Sequence, residues 1–415
     1  MALGMNEALS RRRLFAGGLA LTVAGAASSA RAQLSLPKFP KLPSAPHIGL
    51  PSFPKMGFPA PPKLPFTGGA PKVDLARLVK ETGAPAVGGA VVNAKGLDFL
   101  AVSGLRRADG AGAATTDDLW HLGGCSQAVT AAVCARLIEQ GKLSFSTRLP
   151  ALFPGVTVDP GWADVRLEDV LAHRAGFTDT GVVTPDRVGR AHADQRPLDI
   201  QRRDFAVEVL GKPPTRPQGG YETSNTGYVV AAAAAERLAG RPFEAVAQAE
   251  LFTPLGMGAS GFGAPVGASA PAGHRLGTDG KLHPVDASGL ADLPALFGPA
   301  EGAHVSLTDW ARFARMFLTE GGGVLKPDTL ARLCRPWGGV DGDVSAGGWR
   351  VIQSRPWAGG LVLSCEGSNG LWRAQAEIAP ERGMAVLAVS NAEEGGGAEA
   401  VKRASLELEK AYGAG

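Results

Sequence analysis

Trp120-His-Leu-Gly-Gly-Cys-Ser-Gln-Ala-Val-Thr-Ala131, leading into Arg136-Leu-Ile-Glu-Gln-Gly-Lys-Leu143, is the stretch on which the fold of this 415-residue chain is read. Two glycines open it, Gly141 closes it, and Val129, Val133, Leu137 and Ile138 recur between them at helical spacing. A helix is therefore expected over residues 124–140 with one apolar face. Outward toward the amino terminus, residues 75–81 read as a short helix, and residues 87–92 with 99–102 read as a hairpin turning at Ala94-Lys95-Gly96. In the other direction, helices are expected over 225–238, 242–251, 307–319, 327–334 and 398–412, and strands over 348–353, 361–364, 374–378 and 385–389. Strands, then a long helical interior, then strands and a last helix predict an α/β (α+β) fold. Its sheet draws on both ends of the domain and a helical lobe is inserted between them. The turn glycines Gly359-Gly360 and Gly383 leave links too short for crossover helices, so the late strands should pair antiparallel.

Further motifs follow the opening stretch in order. They are Val165-Arg-Leu-Glu-Asp169 with Leu171-Ala-His-Arg-Ala-Gly-Phe177, then Pro254-Leu-Gly-Met257, Pro299-Ala-Glu-Gly302, Ser306-Leu-Thr-Asp309 and Glu366-Gly-Ser-Asn369. Together they resemble the serine β-lactamase family, meaning class C β-lactamases, penicillin-binding DD-peptidases and related esterases, across residues 73–415. The resemblance implies a β-lactamase/transpeptidase-like fold, an antiparallel sheet flanked by helices plus an all-helical lobe. It also implies three catalytic motifs.

The first motif is Ser-x-x-Lys at a helix start, where a spacing of three puts nucleophile and base on one face. Here those positions fall on Gly124 and Gln127. Tyr-x-Asn aligns with Thr223-Ser224-Asn225, which keeps only Asn225, and Lys/His-x-Gly aligns with Cys365-Glu366-Gly367, which keeps only Gly367. A glycine has nothing to attack with, and an amide is no base. The expectation is a degenerate site in which no catalytic motif is intact. Its oxyanion hole, implied at the main-chain N–H groups of Gly124 and Ser368, does not depend on side chains. Two weaker nucleophiles remain. Ser126 has Val129 rather than a base three residues on, and Cys365 has only His121 as a remote base. His173 occupies a position that the family treats as structural.

Other chemistries find no support. There is no P-loop, Gly261-Phe-Gly263 has the wrong spacing for a dinucleotide loop, and the seven histidines form no ligand pair at helical spacing. Neither a cofactor nor a metal is expected. Of the four cysteines, Cys125 and Cys134 fit as small buried hydrophobes on the helix, while Cys125 and Cys365 should both lie near the pocket. Pairing of Cys125, Cys134, Cys334 and Cys365 stays open at this level.

The charge balance concerns location rather than the pocket. Residues 1–72 hold nine lysines and arginines against one acid, Glu7, while the rest of the chain holds 33 basic and 38 acidic side chains. A mildly acidic body gives no support for nucleic-acid binding. Residues 1–32 read as an export signal of twin-arginine type, with Arg12-Arg13-Leu14-Phe15, a diluted apolar stretch and Ala30-Arg31-Ala32 before Gln33. The apolar stretch is too weak for a stable membrane span, and the expected compartment is periplasmic.

Residues 33–72 carry eleven prolines, five lysines and no acid, and read as an extended Pro/Lys-rich linker reaching about 120 Å if fully polyproline II. The linker is either a spacer or an arm for an envelope partner. Residues 73–415 read as one β-lactamase-like domain. The functional expectation is an exported pseudoenzyme of the serine hydrolase family that binds a cell-wall peptide, an acyl ligand or a partner. The alternative is an active periplasmic esterase, amidase or β-lactamase with Ser126 or Cys365 as unconventional nucleophile.

Overall fold

The computed structural model describes residues 64–110, 112–267, 270–287, 291–339 and 342–413. The expected export signal and most of the Pro/Lys-rich stretch lie outside these residues. The first helix among the described residues is α1 (Leu75–Thr82), capped by the Asp74 carboxylate and closed by Gly83 in the left-handed conformation. Strands β1 (Ala86–Asn93) and β2 (Leu97–Gly104) form the expected hairpin. Its turn is held by Asn93 Oδ1, which accepts from the amides of Lys95 and Gly96.

The main sheet has six strands in the order β2-β1-β11-β10-β9-β8, where β8 is Arg350–Ile352, β9 Val362–Ser368, β10 Arg373–Ala379 and β11 Met384–Ser390. All neighbours are antiparallel, as the short turns predict. β1 pairs with β11 from Val87↔Ser390 to Asn93↔Met384, so the two ends of the domain meet at the centre of the sheet.

Both faces of the sheet are covered. On β11, Met384, Val386 and Ala388 face α1 and the last helix, α6 (Gly397–Gly413), while Ala385, Leu387 and Val389 point into the main core. This period-two division makes β11 buried along its whole length. The main core continues through helix α2 (Ser126–Glu139) and helix α5 (Leu307–Met316), with Trp120, Phe313 and Trp349 among its large side chains.

Helix α2 differs from the single apolar face expected of it. Residues 126–135 are buried on every side, because Val129 and Val133 pack toward the sheet while Ala131 and Cys134 pack into the helical lobe. The lobe core gathers Trp162, Phe177, Phe205, Tyr228 and Phe297 around α3 (Leu198–Leu210) and α4 (Asn225–Ala239). It is pinned by the buried Arg202, which donates to Glu236 at 2.6 Å and to Glu244 at 2.5 Å.

Three departures from the sequence reading have local causes. The segment expected as one helix over 242–251 is helical over Phe243–Ala247 and widens to a π-turn at Gln248–Phe252. Short strands β3 (Leu119–His121), β4 (Ser260–Phe262) and β7 (Ala303–Ser306) form an unforeseen second sheet, and β5 (Gly273–Leu276) pairs with β6 (Leu282–Val285); all are too short to show clear periodicity. The folded body also begins before residue 73: Thr67 N–H donates to Leu97 O at 2.7 Å, and Leu97 N–H to Pro65 O at 2.8 Å. Proline density does not prevent this pairing, since Pro65 contributes only its carbonyl at the sheet edge.

Candidate functional site

The site is built where the second sheet delivers the chain into α2. β3 pairs with β7, and Leu122 N–H donates to Ala303 O at 2.8 Å. The chain then makes a tight turn over Gly123–Cys125 before α2 starts. Gly123 has φ +51°, and a Cβ there would sit 2.3 Å from the Ser368 amide nitrogen, so only glycine fits. Gly367 is constrained in the same way, since its Cβ would fall 2.0 Å from Leu122 O. The turn and β9 thus approach main chain to main chain, which brings the two implied oxyanion donors, Gly124 and Ser368, to one seam. Gly124 itself has room: a Cβ there would meet Glu366 O at 3.6 Å and Gly367 Cα at 3.9 Å, both ordinary contacts.

Gln127 is the second residue of α2, three residues beyond Gly124, and is buried. Its Oε1 is 2.9 Å from His173 Nε2, and its Nε2 donates to Asn225 Oδ1 at 3.5 Å. His173 Nδ1 accepts from the Ser224 amide at 3.2 Å, which places the ring proton on Nε2. Asn225 Nδ2 then donates to Glu301 Oε1 at 2.9 Å. The result is a one-way chain of donors from the Ser224 N–H through His173, Gln127 and Asn225 to Glu301. Gln127 can occupy its middle because an amide both accepts and donates.

Burial shifts the groups at both ends of this chain. It lowers His173 to about 4, so the ring is neutral at ordinary pH. It raises Glu301 to about 7, an effect the Asn225 hydrogen bond opposes and the Asp179 and Asp292 charges reinforce. His173 also holds a positive φ of 58°, anchored by its carbonyl accepting from the Glu222 amide at 3.0 Å.

The remaining expected residues are placed as follows. Thr223 is exposed, and its hydroxyl lies 2.9 Å from the phenol of Tyr221, a residue that motif reading passed over. The Tyr221 ring packs under the Arg174 guanidinium at 5.2 Å. Ser126 is fully buried, and its Oγ donates to Gly123 O at 2.6 Å and accepts from the Ala303 amide at 2.9 Å, so its hydroxyl fixes the turn. His121 is likewise occupied at both nitrogens. Nδ1 accepts from Gly123 N–H at 3.1 Å, and Nε2 faces Asp292 Oδ2 at 2.8 Å. With its proton on Nε2 and its lone pair engaged, it has no free nitrogen to serve Cys365 as a base. The Cys365 sulfur lies 2.8 Å from that of Cys125, and burial with this neighbour drives its thiol well above the usual range.

Glu301, Asp292 and Tyr221 were not singled out from the sequence. Glu301 stands inside the quoted Pro299-Ala-Glu-Gly302, but nothing local signals that its carboxyl turns toward Asn225. Asp292 reaches His121 across 171 residues of chain. Among the described residues no cluster of three or more His, Cys, Asp or Glu side chains is arranged to hold a metal ion.

The six-stranded antiparallel sheet with its helical lobe is the fold of penicillin-binding proteins and related hydrolases. The chain superimposes on the penicillin binding protein from Bacillus halodurans with a TM-score of 0.65, at 20% identity over 81% of this chain and 100% of that one. For the octameric penicillin-binding protein homologue from Pyrococcus abyssi the score is 0.63, at 19% identity over 79% and 74%. For a D-stereospecific amidohydrolase from Streptomyces sp. it is 0.61, at 18% identity over 80% and 96%. The Beta-lactamase family model matches residues 75–410, and the chain belongs to that family.

Among curated relatives, penicillin-binding protein 4 of Amycolatopsis lactamdurans is 30% identical over 234 residues, 54% of this chain and 57% of its own. N-acetylmuramyl-L-alanine amidase of Bacillus subtilis (strain 168) is 31% identical over 128 residues, 29% of this chain and 27% of its own. The chain therefore spans little more than half of one of these relatives and about a quarter of the other.

Proposed function

We propose that this protein is a non-hydrolytic, exported member of its family whose pocket holds an acyl or peptide group without turning it over. The observation that carries the reading is the pair Gly124 and Gln127. The nucleophile position has no side chain, and the base position is an amide already engaged on both sides by His173 and Asn225. The neighbouring alternatives support it, since the Ser126 hydroxyl is committed to the turn and Cys365 faces another thiol. Covalent acyl transfer needs a nucleophile with a base in reach.

The electrostatics also bear on the ligand. Where the resemblance implies cations, this chain has Gln127 and Cys365, and Glu301 and Asp292 stand close by. A neutral acyl or amide carbonyl on the Gly124 and Ser368 amides suits this pocket better than the carboxylate of a β-lactam. Residues 33–72 would act as a spacer or as an arm for an anionic envelope partner. Pulldown with and without that segment tests this part.

The hydrolytic question is tested with nitrocefin, short-chain p-nitrophenyl esters and a fluorophosphonate label on the purified chain. The expected result is no turnover and no label, with calorimetric binding of a cell-wall peptide or an acyl ester. Turnover that disappears in Ser126→Ala or Cys365→Ala overturns the reading. Absence of binding to every such ligand removes the ligand-holding half of it.

A further inference from the structure

Cys125 and Cys365 lie 240 residues apart in sequence, yet their sulfurs meet at 2.8 Å beside the Gly124 seam. That is closer than the roughly 3.5–4.0 Å at which two carbon atoms rest in optimal contact. The approach is not a matter of side-chain rotamers alone. Gly123 and Gly367 lock the turn and β9 together at distances where no Cβ is tolerated, so the backbones carrying the two thiols are fixed relative to each other. On β9 the side chains alternate: Ser364 turns to Glu377, with its Oγ donating to Oε1 at 2.8 Å, and Cys365 turns the other way, toward α2. The two thiols also differ in access, since Cys125 is buried and Cys365 is half-buried. Cys134 and Cys334, by contrast, have no sulfur partner, and burial pushes both thiols up to about 12.

We propose that Cys125 and Cys365 are a redox-active pair that closes into a disulfide across the pocket seam, with Cys365 as the entry thiol and Cys125 as the resolving one. The oxidant is a small-molecule or protein disulfide, R–S–S–R. The Cys365 thiol, held well above the usual range by burial, must first lose its proton to solvent, which makes entry slow at neutral pH; the thiolate then attacks one sulfur of the oxidant, forming a mixed disulfide and releasing one R–S⁻. The Cys125 thiolate then attacks Cys365 Sγ and displaces the second R–S⁻. Two thiols lose two electrons and two protons, and R–S–S–R is reduced to two R–SH. The bond would tie the turn that starts α2 to β9, holding Gly124 and Ser368 in one arrangement. It does not depend on whether the pocket binds an acyl group.

The test equilibrates the full chain with a glutathione redox series under native conditions, followed by acid quench, alkylation and non-reducing peptide mapping. The expected result is a cross-linked peptide pair carrying Cys125 and Cys365, with free thiols falling from four to two and Cys134 and Cys334 alkylated after denaturation. Oxidation should raise the melting temperature by roughly 5 °C, and that rise should be absent in Cys365→Ser and retained in Cys334→Ser. Four thiols persisting at the most oxidising ratio, a different pairing, or a reaction that stops at glutathione on Cys365 each overturn the proposal. The mapping uses the unmodified protein, so the outcome stands even if a variant does not fold.

Discussion

Glu301→Gln isolates the acid end of the Ser224–His173–Gln127–Asn225–Glu301 chain. The wild-type carboxyl is raised from an ordinary 4.5 to about 7 by burial, with Asp179 and Asp292 adding to the rise. Between those values the folded protein keeps a proton that the unfolded chain has released. Folding stability must therefore fall as pH rises through that window: the contribution is fully present below about pH 4.5 and lost above about pH 7. The whole shift corresponds to about 3 kcal/mol at 1.36 kcal/mol per unit, and solvent at the half-buried carboxyl trims the expected value to roughly 1–2 kcal/mol.

The amide of Glu301→Gln keeps the acceptor for Asn225 Nδ2 and cannot ionise. Urea unfolding at a series of pH values between 4.5 and 8 should show the variant equal to wild type at the acid end and about 1–2 kcal/mol more stable at pH 8. Other buried carboxyls and histidines also shift, among them Asp309 and Glu409 upward and His274 and His304 downward, and two move furthest. Glu377 is also raised to about 7 by burial, and His173, lowered to about 4, acts in the opposite sense by making stability rise between about pH 4 and 6.5. All of these are common to the two proteins and cancel in the difference. A difference that stays flat from pH 5 to 8 refutes the assignment of the proton to Glu301.

Other substitutions probe the seam and the lobe. Gly123→Ala should destabilise by about 3 kcal/mol or more, since its Cβ meets the Ser368 nitrogen at 2.3 Å, whereas Gly124→Ala should stay within about 1 kcal/mol; paired thermal melts check the contrast. Gln127→Leu leaves His173 Nε2–H and Asn225 Oδ1 buried without partners and should cost about 2–4 kcal/mol in urea unfolding, with Gln127→Glu retaining the acceptor for His173. Arg202→Met strands Glu236 in the lobe and should cost about 3–5 kcal/mol by the same measurement. The double substitution Gly124→Ser with Gln127→Lys places a hydroxyl where a Cβ has free room, and should gain fluorophosphonate labelling that wild type lacks; no label in a folded variant would mean that the pocket geometry has drifted.

The sheet and its flanking helices were legible because their signals are local. Short apolar runs mark β1 and β11, alternation marks β10, Gly141 and Gly83 mark helix ends, and links of three or four residues at β1–β2, β9–β10 and β10–β11 force antiparallel pairing. The site was legible only where motif order could locate it. Gly124 adjoins Gly367, Gln127 bonds Asn225 and Cys365 meets Cys125, and the glycine requirement at 123 and 367 follows from a main-chain approach that no local pattern shows. What escaped reading is pairwise and remote. Glu301 becomes a site residue through Asn225, and Asp292 through His121, and an isolated carboxylate in a sequence has no mark of its eventual burial. The three-residue strands β3 and β4 escaped for a different reason, being shorter than the roughly four or more residues over which alternation can be recognised.

The meeting of β1 and β11 at the centre of the sheet also sets a schedule for synthesis. Ser390 Oγ donates to Ala86 O across 304 residues, so the apolar strand β1 leaves the ribosome long before its neighbour β11 is made. At about 5–20 residues per second, the interval is on the order of 15–60 s. Throughout it, the run Ala86-Val-Gly-Gly-Ala-Val-Val92 has one edge paired with β2 and the other open. A chain that ends before Met384 lacks both β11 and the last helix that packs on it. Completion of this sheet therefore waits for residues 384–390, and until they emerge the nascent chain depends on something other than its own sheet to keep that edge apart from its neighbours.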